Sequence, residues 1–138
     1  MIVGDDALYP ETFRLAAFGD ADVVAVPFAV AEPHDTDLLL LERAAENRVN
    51  LAVASRWHDA YGGSVLVPLS GDFTLWGDWE NPFAGVISRP EPVFAAGAVE
   101  IATLRPACAT NRLVSKGTDV VDGRPWELAA VLVGEPSR

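Results

Sequence analysis

The chain has 138 residues and a mass of 14.7 kDa, the size of one domain with a continuous core. Hydrophobic residues make up 50% and charged residues 22%, a composition that excludes a disordered chain. The formal net charge of -10 excludes nucleic acid and anionic membranes as favoured partners, because both would repel the chain.

The first part of the chain alternates strand and helix signals. Residues 1–3 predict a short strand. A helix is expected over residues 10–18, because Pro10 suits the first helical turn and Gly19 suits the end. The run over residues 22–28, apolar after its first residue, predicts a strand that is covered on both faces.

A second helix is expected over residues 36–49. The core-facing stripe of this helix is predicted to contain Leu38, Leu41, Ala45 and Val49. Its charged residues, which are expected around the rest of its surface, are Glu42, Arg43, Glu46 and Arg48. Strands over 51–56 and 64–68 follow, so the order of elements predicts an α/β fold: a mixed sheet with helices on one face.

The remaining sequence has weaker signals. Residues 70–92 predict irregular structure with one short strand around residues 73–76, and residues 98–102 predict a strand. The last third reads as an extended arm with a short helix near residues 125–131. We therefore expect a single domain, with an α/β core over residues 1–105 and a C-terminal arm over residues 106–138.

The cellular location follows from what the sequence lacks. The single cysteine, Cys108, cannot form a disulfide within the chain. No cationic segment followed by an apolar one opens the sequence, and no apolar run approaches the length of a membrane span. These features predict a cytoplasmic protein.

Four segments occur in a set order along the chain. They are DALYPETFR (6–14), ERAAENRVN (42–50), GGSVLVPLSG (62–71) and NRLVSKGTDVVDGRPWEL (111–128). Together they resemble the nitrilase superfamily of carbon-nitrogen hydrolases. The resemblance covers only the later half of that family's domain, and it implies half of an αββα sandwich.

Members of this family hydrolyse amides, nitriles or carbamoyl groups through a thioester, using a glutamate base, an oxyanion-stabilising lysine and a cysteine nucleophile. The resemblance puts the cysteine two residues before Asp6, where this chain has Gly4. Glycine has no side chain that could attack a carbonyl. The glutamate and the lysine belong to the half that is not matched, so the resemblance implies a homologue that is inactive as this chain.

Two other residues are weak substitutes for the missing thiol. Cys108 has no neighbouring base in its sequence, and we interpret it as a small apolar packing residue. Asp5, beside Gly4, carries a carboxylate, which is a weak nucleophile toward amides.

Several polar residues are candidates for a pocket or for a structural role. Asp6, Glu11 and Arg14 can form a charged cluster that holds the nucleophile turn, although a structural helix cap is the favoured interpretation because the thiol is missing. Glu46 and Asn47 are equally consistent with a solvated helix face and with a buried hydrogen-bonding role.

Two histidine-containing segments, His34 to Asp37 and Trp57 to Asp59, offer ligands for a metal. Both are expected in loops after strand ends, where Asp and His serve as caps and turn residues, so no metal and no cofactor is predicted. His58 at such an end could instead line a crevice, since ligands of α/β sheets bind beyond the carboxyl ends of the strands.

Large rings are frequent for a small acidic domain, and they indicate an association surface rather than a ligand cage. They are Trp57, Phe73, Trp76, Trp79, Phe83 and Trp126. The first hypothesis is therefore a catalytically silent nitrilase-superfamily half, forming a homodimer or binding a partner chain that covers the exposed sheet face. The alternatives are a non-enzymatic dimerising or binding module, and one part of a split amidohydrolase that another chain completes.

Overall fold

The structure, a computed structural model, describes residues 1–60, 62–69, 92–96, 100–106, 113–115, 118–119 and 123. Its main unit contains the helices α1 (Pro10–Phe18) and α2 (Leu40–Asn47) and the strands β1 (Val23–Pro27), β2 (Asn50–Ala54), β3 (Val65–Val67) and β4 (Val93–Phe94). A separate two-stranded sheet joins β5 (Leu113–Ser115) and β6 (Thr118–Asp119). The predicted α/β fold is confirmed at this level.

The four-stranded sheet has the order β1-β2-β3-β4. Strands β1 and β2 are parallel, whereas β3 and β4 each pair in antiparallel fashion with the strand before them, so the sheet is mixed. One face of the sheet carries Val24, Val26, Leu51, Val53, Val65 and Val67, all buried. These residues form one core cluster with Phe13 and Ala17 of α1 and Leu40, Leu41 and Ala44 of α2, which places both helices on that face.

Helix α1 has the bounds that the sequence predicts. Pro10 occupies the first turn, and the buried residues Phe13 and Ala17 lie one turn apart on the core side. The backbone leaves the helix through Asp20, which has the left-handed φ of 55°, whereas Gly19 has φ -79°. Thus Gly19 ends the helix, as expected, but the left-handed position belongs to the next residue.

The second helix differs from its prediction because it opens with a π-helical turn over Asp35–Leu39 before α2 begins. The wider turn shifts the helical phase, so Leu40 is fully buried and Leu38 is 58% exposed. The prediction that Leu38 faces the core was therefore wrong. The surface position predicted for Arg48 was also wrong: Arg48 ends α2 with φ 55° and is only 3% exposed.

Two predicted strands are not present as such. Residues 1–3 form no strand, although the Ile2 N–H donates to the Ala25 carbonyl oxygen at 3.0 Å and holds this segment beside β1. Residues 100–102 of the strand predicted over 98–102 are also not in a strand, and residues 98–99 lie outside the described part. The short strand predicted around residues 73–76 and the helix predicted near residues 125–131 lie outside it as well.

The second face of the sheet, which we call the outward face, points away from the helices. It consists of Val23, Ala25 and Pro27 of β1, Asn50, Ala52 and Ala54 of β2, Leu66 of β3 and Val93 of β4. Val23 is 40% exposed, Ala25 and Ala54 are exposed, Asn50 is buried, and the other four are half-buried. The prediction that the first long strand is covered on both faces was therefore wrong, because β1 is buried only on its helix side.

Candidate functional site

Gly4 lies in a sharp turn at the end of the segment that runs beside β1. A 3-10 helix over Gly4–Leu8 begins there, and Gly4 itself has φ +58°, a left-handed conformation that favours glycine. A Cβ atom built at Gly4 would meet nothing within 4 Å. The position that the resemblance assigns to the nucleophile is thus a glycine-type turn with open space and no reactive atom.

A hydroxyl bridge joins this turn to α1. The Thr12 hydroxyl lies 2.8 Å from the carbonyl oxygen of Asp6 and 2.8 Å from that of Tyr9. It can donate its single proton to either oxygen, and both belong to the 3-10 turn or its end. The Tyr9 N–H in turn donates to the Asp6 carbonyl oxygen at 3.3 Å. The backbone of Asp6 therefore holds the entry to the helix.

The charged residues predicted for this turn lie in different surroundings. The side chains of Asp6 and Glu11 are exposed, whereas Arg14 is buried with 8% exposure on the core side of α1. Glu11 stands in the first turn, where a carboxylate suits the positive end of a helix.

Glu46 and Asn47 form a compact polar group at the end of α2. Arg43 Nη1 donates to Glu46 Oε1 at 2.8 Å, and Asn47 Nδ2 lies 3.3 Å from the same oxygen. Asn47 Nδ2 also donates to the Arg43 carbonyl oxygen at 2.9 Å. Asn47 is 1% exposed, so it is a buried hydrogen-bonding residue, while Glu46 stays partly accessible.

His58 lies in a tight turn after β2. Two backbone hydrogen bonds, of 2.7 and 2.8 Å, link His58 with Gly62, and His58 Nδ1 accepts from the Ala60 N–H at 3.1 Å. The neighbouring Trp57 Nε1–H donates to Asp59 Oδ1 at 3.1 Å. A Cβ atom at Gly63 would lie 3.1 Å from the Trp57 Cα, so the close approach of these two backbone segments leaves little room for a side chain and favours glycine.

His34 lies between the carboxylates of two residues close to it in the sequence. Its Nδ1 lies 3.0 Å from Glu32 Oε2, and its Nε2 lies 3.4 Å from Asp35 Oδ1. The other oxygen of Asp35 accepts from the N–H groups of Ala31 and Glu32 at 2.9 and 3.0 Å. Within the described ranges, no group of three or more His, Cys, Asp or Glu side chains is arranged to hold a metal ion.

Two polar connections, one buried and one partly buried, were not identified from the sequence. Asn50, 0% exposed, accepts from the Leu69 N–H at 2.8 Å and donates to the Asp22 carbonyl oxygen at 2.9 Å, which ties the ends of three strands. Ser55 Oγ accepts from the Val30 N–H at 3.0 Å, and Ser64 Oγ accepts from the Ser55 N–H at 3.0 Å. An asparagine that opens an otherwise apolar strand is the signal that could have revealed the first connection.

The described surface is strongly acidic. Its exposed carboxylate residues are Asp5, Asp6, Glu11, Asp20, Asp22, Glu32, Asp37, Glu42, Asp59 and Glu100. Only Arg56 and Arg105 are exposed among the arginines of the same part, because Arg14 and Arg48 are buried and Arg43 is partly buried. The ratio of acidic to basic residues, 20 to 10 in the whole sequence, thus rises to ten to two among the exposed residues of the described part.

Chemically, the polar side chains described above form hydrogen bonds that hold turns and backbone segments in place. Cys108, the only cysteine, and Lys116, the only lysine, both lie outside the described residues, as do Phe73, Trp76, Trp79, Phe83 and Trp126.

No helix in the described part is long and apolar enough to cross a membrane. No model of a known protein family matches the chain, and no curated protein matches it significantly.

Proposed function

We propose that this chain is a homologue of the later half of a carbon-nitrogen hydrolase of the nitrilase superfamily, and that it is catalytically silent alone. In this proposal its α/β layer is one half of an αββα sandwich. The observation that carries the proposal is the Gly4 turn: a left-handed glycine, with φ +58°, stands where the resemblance requires a thiol.

The order of elements after that turn supports the proposal. Helix α1, strand β1, helix α2 and strands β2 and β3 follow in the order that the four resembling segments imply. The chemistry supports silence, because a thioester forms only on a thiolate, and the chain has glycine rather than cysteine at position 4. The glutamate base and the oxyanion lysine would belong to the half that the resemblance does not cover.

A second candidate function is a non-enzymatic binding module, and the exposed apolar outward face favours it. This module would keep the fold and use it for association. The resemblance also implies a homodimer through the helix after the nucleophile turn and through the C-terminal arm; Leu15, 67% exposed on α1, is consistent with such a contact.

The proposal is tested by assaying the purified chain with simple aliphatic amides and nitriles, with Cys108→Ala as the control variant. We expect both proteins to give no turnover above the buffer rate. Turnover by the wild-type chain that disappears in Cys108→Ala would overturn the proposal, because a thiol of this chain would then be the nucleophile.

A second test separates the silent half from a split enzyme. The coding sequence immediately upstream is inspected for a segment with a glutamate base, a lysine and a strand that ends in cysteine. Such a segment is then expressed together with this chain. Amidase activity that requires both polypeptides would support a split hydrolase, whereas a silent mixture would favour the binding module.

A further inference from the structure

The outward face is more apolar than the solvated face of a sheet normally is. A sheet that has one solvated face normally carries polar side chains there, in alternation with apolar residues toward the core. Here six of the eight outward residues are Ala, Val or Leu, and three of these six, Val23, Ala25 and Ala54, are exposed, whereas the one polar residue, Asn50, is buried. A contiguous apolar surface of this kind marks a site of association.

The small side chains along the two parallel strands fit a flat partner. Ala25 of β1 lies beside Ala52 of β2, and Ala54 follows on the same face. These small side chains make this part of the face nearly flat. Face-to-face sheets pack about 10 Å apart through side chains of both layers, which suits such a strip. A second sheet layer is therefore the shape that this face accommodates.

The charge of the described surface selects among possible partners. Ten carboxylate residues are exposed there against two arginines, and the whole chain has a formal charge of -10. Two copies of the chain would bring like charges together, which opposes association. Asp22, exposed directly before Val23, puts one of these charges at the end of the outward face. A basic partner would be attracted by these carboxylates, whereas a second copy would be repelled by them.

We infer that the outward face binds a separate, basic polypeptide that presents an apolar β-sheet layer. The inference uses only the residues of the face and the surface charge, so it stands independently of the resemblance to hydrolases. It differs from homodimerisation through α1, which would leave the outward face open.

The first experiment uses two strand-forming peptides of equal length, one alternating Val and Lys and the other alternating Val and Glu. Each is labelled with a fluorophore and titrated with the purified chain. We expect the Val-Lys peptide to bind and its affinity to fall about tenfold or more between about 0.05 M and about 0.5 M NaCl, because salt screens the attraction. The Val-Glu peptide should not bind. Equal binding of both peptides, or no binding of the Val-Lys peptide, would overturn the inference.

The second experiment locates the binding. Ala25→Gln and Ala54→Gln should each weaken binding of the Val-Lys peptide about tenfold, whereas the control Leu38→Gln, at a leucine that is 58% exposed in the π-helical turn, should leave it unchanged. An equal loss in the control would contradict the assignment to the outward face. A wild-type dimer in sedimentation equilibrium that Ala25→Gln dissociates would show that a second copy occupies the face. If the variants do not fold, the salt dependence and the peptide pair on the wild-type chain decide.

Discussion

The two faces of the sheet are built from alternate residues of the same strands, yet they have different fates. On the helix side, Val24 and Leu51 are 2% and 0% exposed, while Val23, one residue before Val24, is 40% exposed. Both faces consist mainly of apolar residues, so hydrophobicity alone does not distinguish them. The difference is that α1 and α2 cover one face and leave the other. An apolar residue in a strand therefore does not show by itself whether it is buried. Its burial depends on whether another element packs on its face of the sheet.

The largest loss of unfolding free energy should appear when a buried leucine on the helix side of the sheet is truncated. Leu51→Ala removes a fully buried side chain between β1 and β3, and we expect the free energy of unfolding to fall by about 3 kcal/mol. Urea denaturation measures this loss. The matched control Leu38→Ala, at a leucine that is 58% exposed, should change it by less than about 0.5 kcal/mol. Equal losses would contradict the shifted phase of the second helix.

A smaller loss is expected at the amino end of β2, where the outward side is sealed by hydrogen bonds. Asn50→Ala removes the acceptor for the Leu69 N–H and the donor to Asp22, which we expect to cost about 2 kcal/mol of unfolding free energy. Thermal denaturation or urea denaturation would detect it. Asp22→Ala is the control, because it keeps the carbonyl oxygen that Asn50 uses and should be nearly neutral.

The buried carboxylate at the first residue of the π-helical turn should contribute less again. Asp35→Ala leaves the N–H groups of Ala31 and Glu32 without their acceptor, and we expect a loss of about 1 kcal/mol of unfolding free energy. The same substitution at the exposed Asp37 should have little effect on the urea midpoint. If both variants unfold at the same urea concentration as the wild type, Asp35 does not hold this loop.

The smallest effect on stability is expected on the outward face itself. Ala25→Gln places a polar side chain where the native residue is exposed, so the unfolding free energy of the isolated chain should change by no more than about 0.5 kcal/mol. Urea denaturation of the isolated chain is again the measurement. A loss comparable to that of Leu51→Ala would mean that the chain itself covers this face.

The sequence predicts the elements well where local rules dominate. Helix α1 has its predicted bounds because Pro10 fixes its start and the helix closes before Gly19. Strands β1, β2 and β3 lie within one or two residues of their predicted bounds, since their apolar runs are continuous.

The predictions fail where a side chain's surroundings depend on distant parts of the chain. The π-helical turn before α2 changes which leucine faces the core, and no local pattern encodes that extra residue. β4 pairs only two residues with β3, too few for a periodic signal. Of the candidate site, the glycine at position 4 is visible in the sequence, but its left-handed turn and the burial of Arg14 and Asn47 require the fold.

The central physical claim is that adjacent residues of β1 differ in exposure because only one face of the sheet is covered. Thiol labelling of Ala25→Cys and Val26→Cys, each in the Cys108→Ala background, tests it most directly. The cysteine at position 25 should react with a soluble disulfide reagent nearly as fast as in the unfolded chain. The cysteine at position 26, where the native residue is 0% exposed, should react about 100-fold more slowly, because it must wait for local opening. Equal protection at both positions would contradict the account.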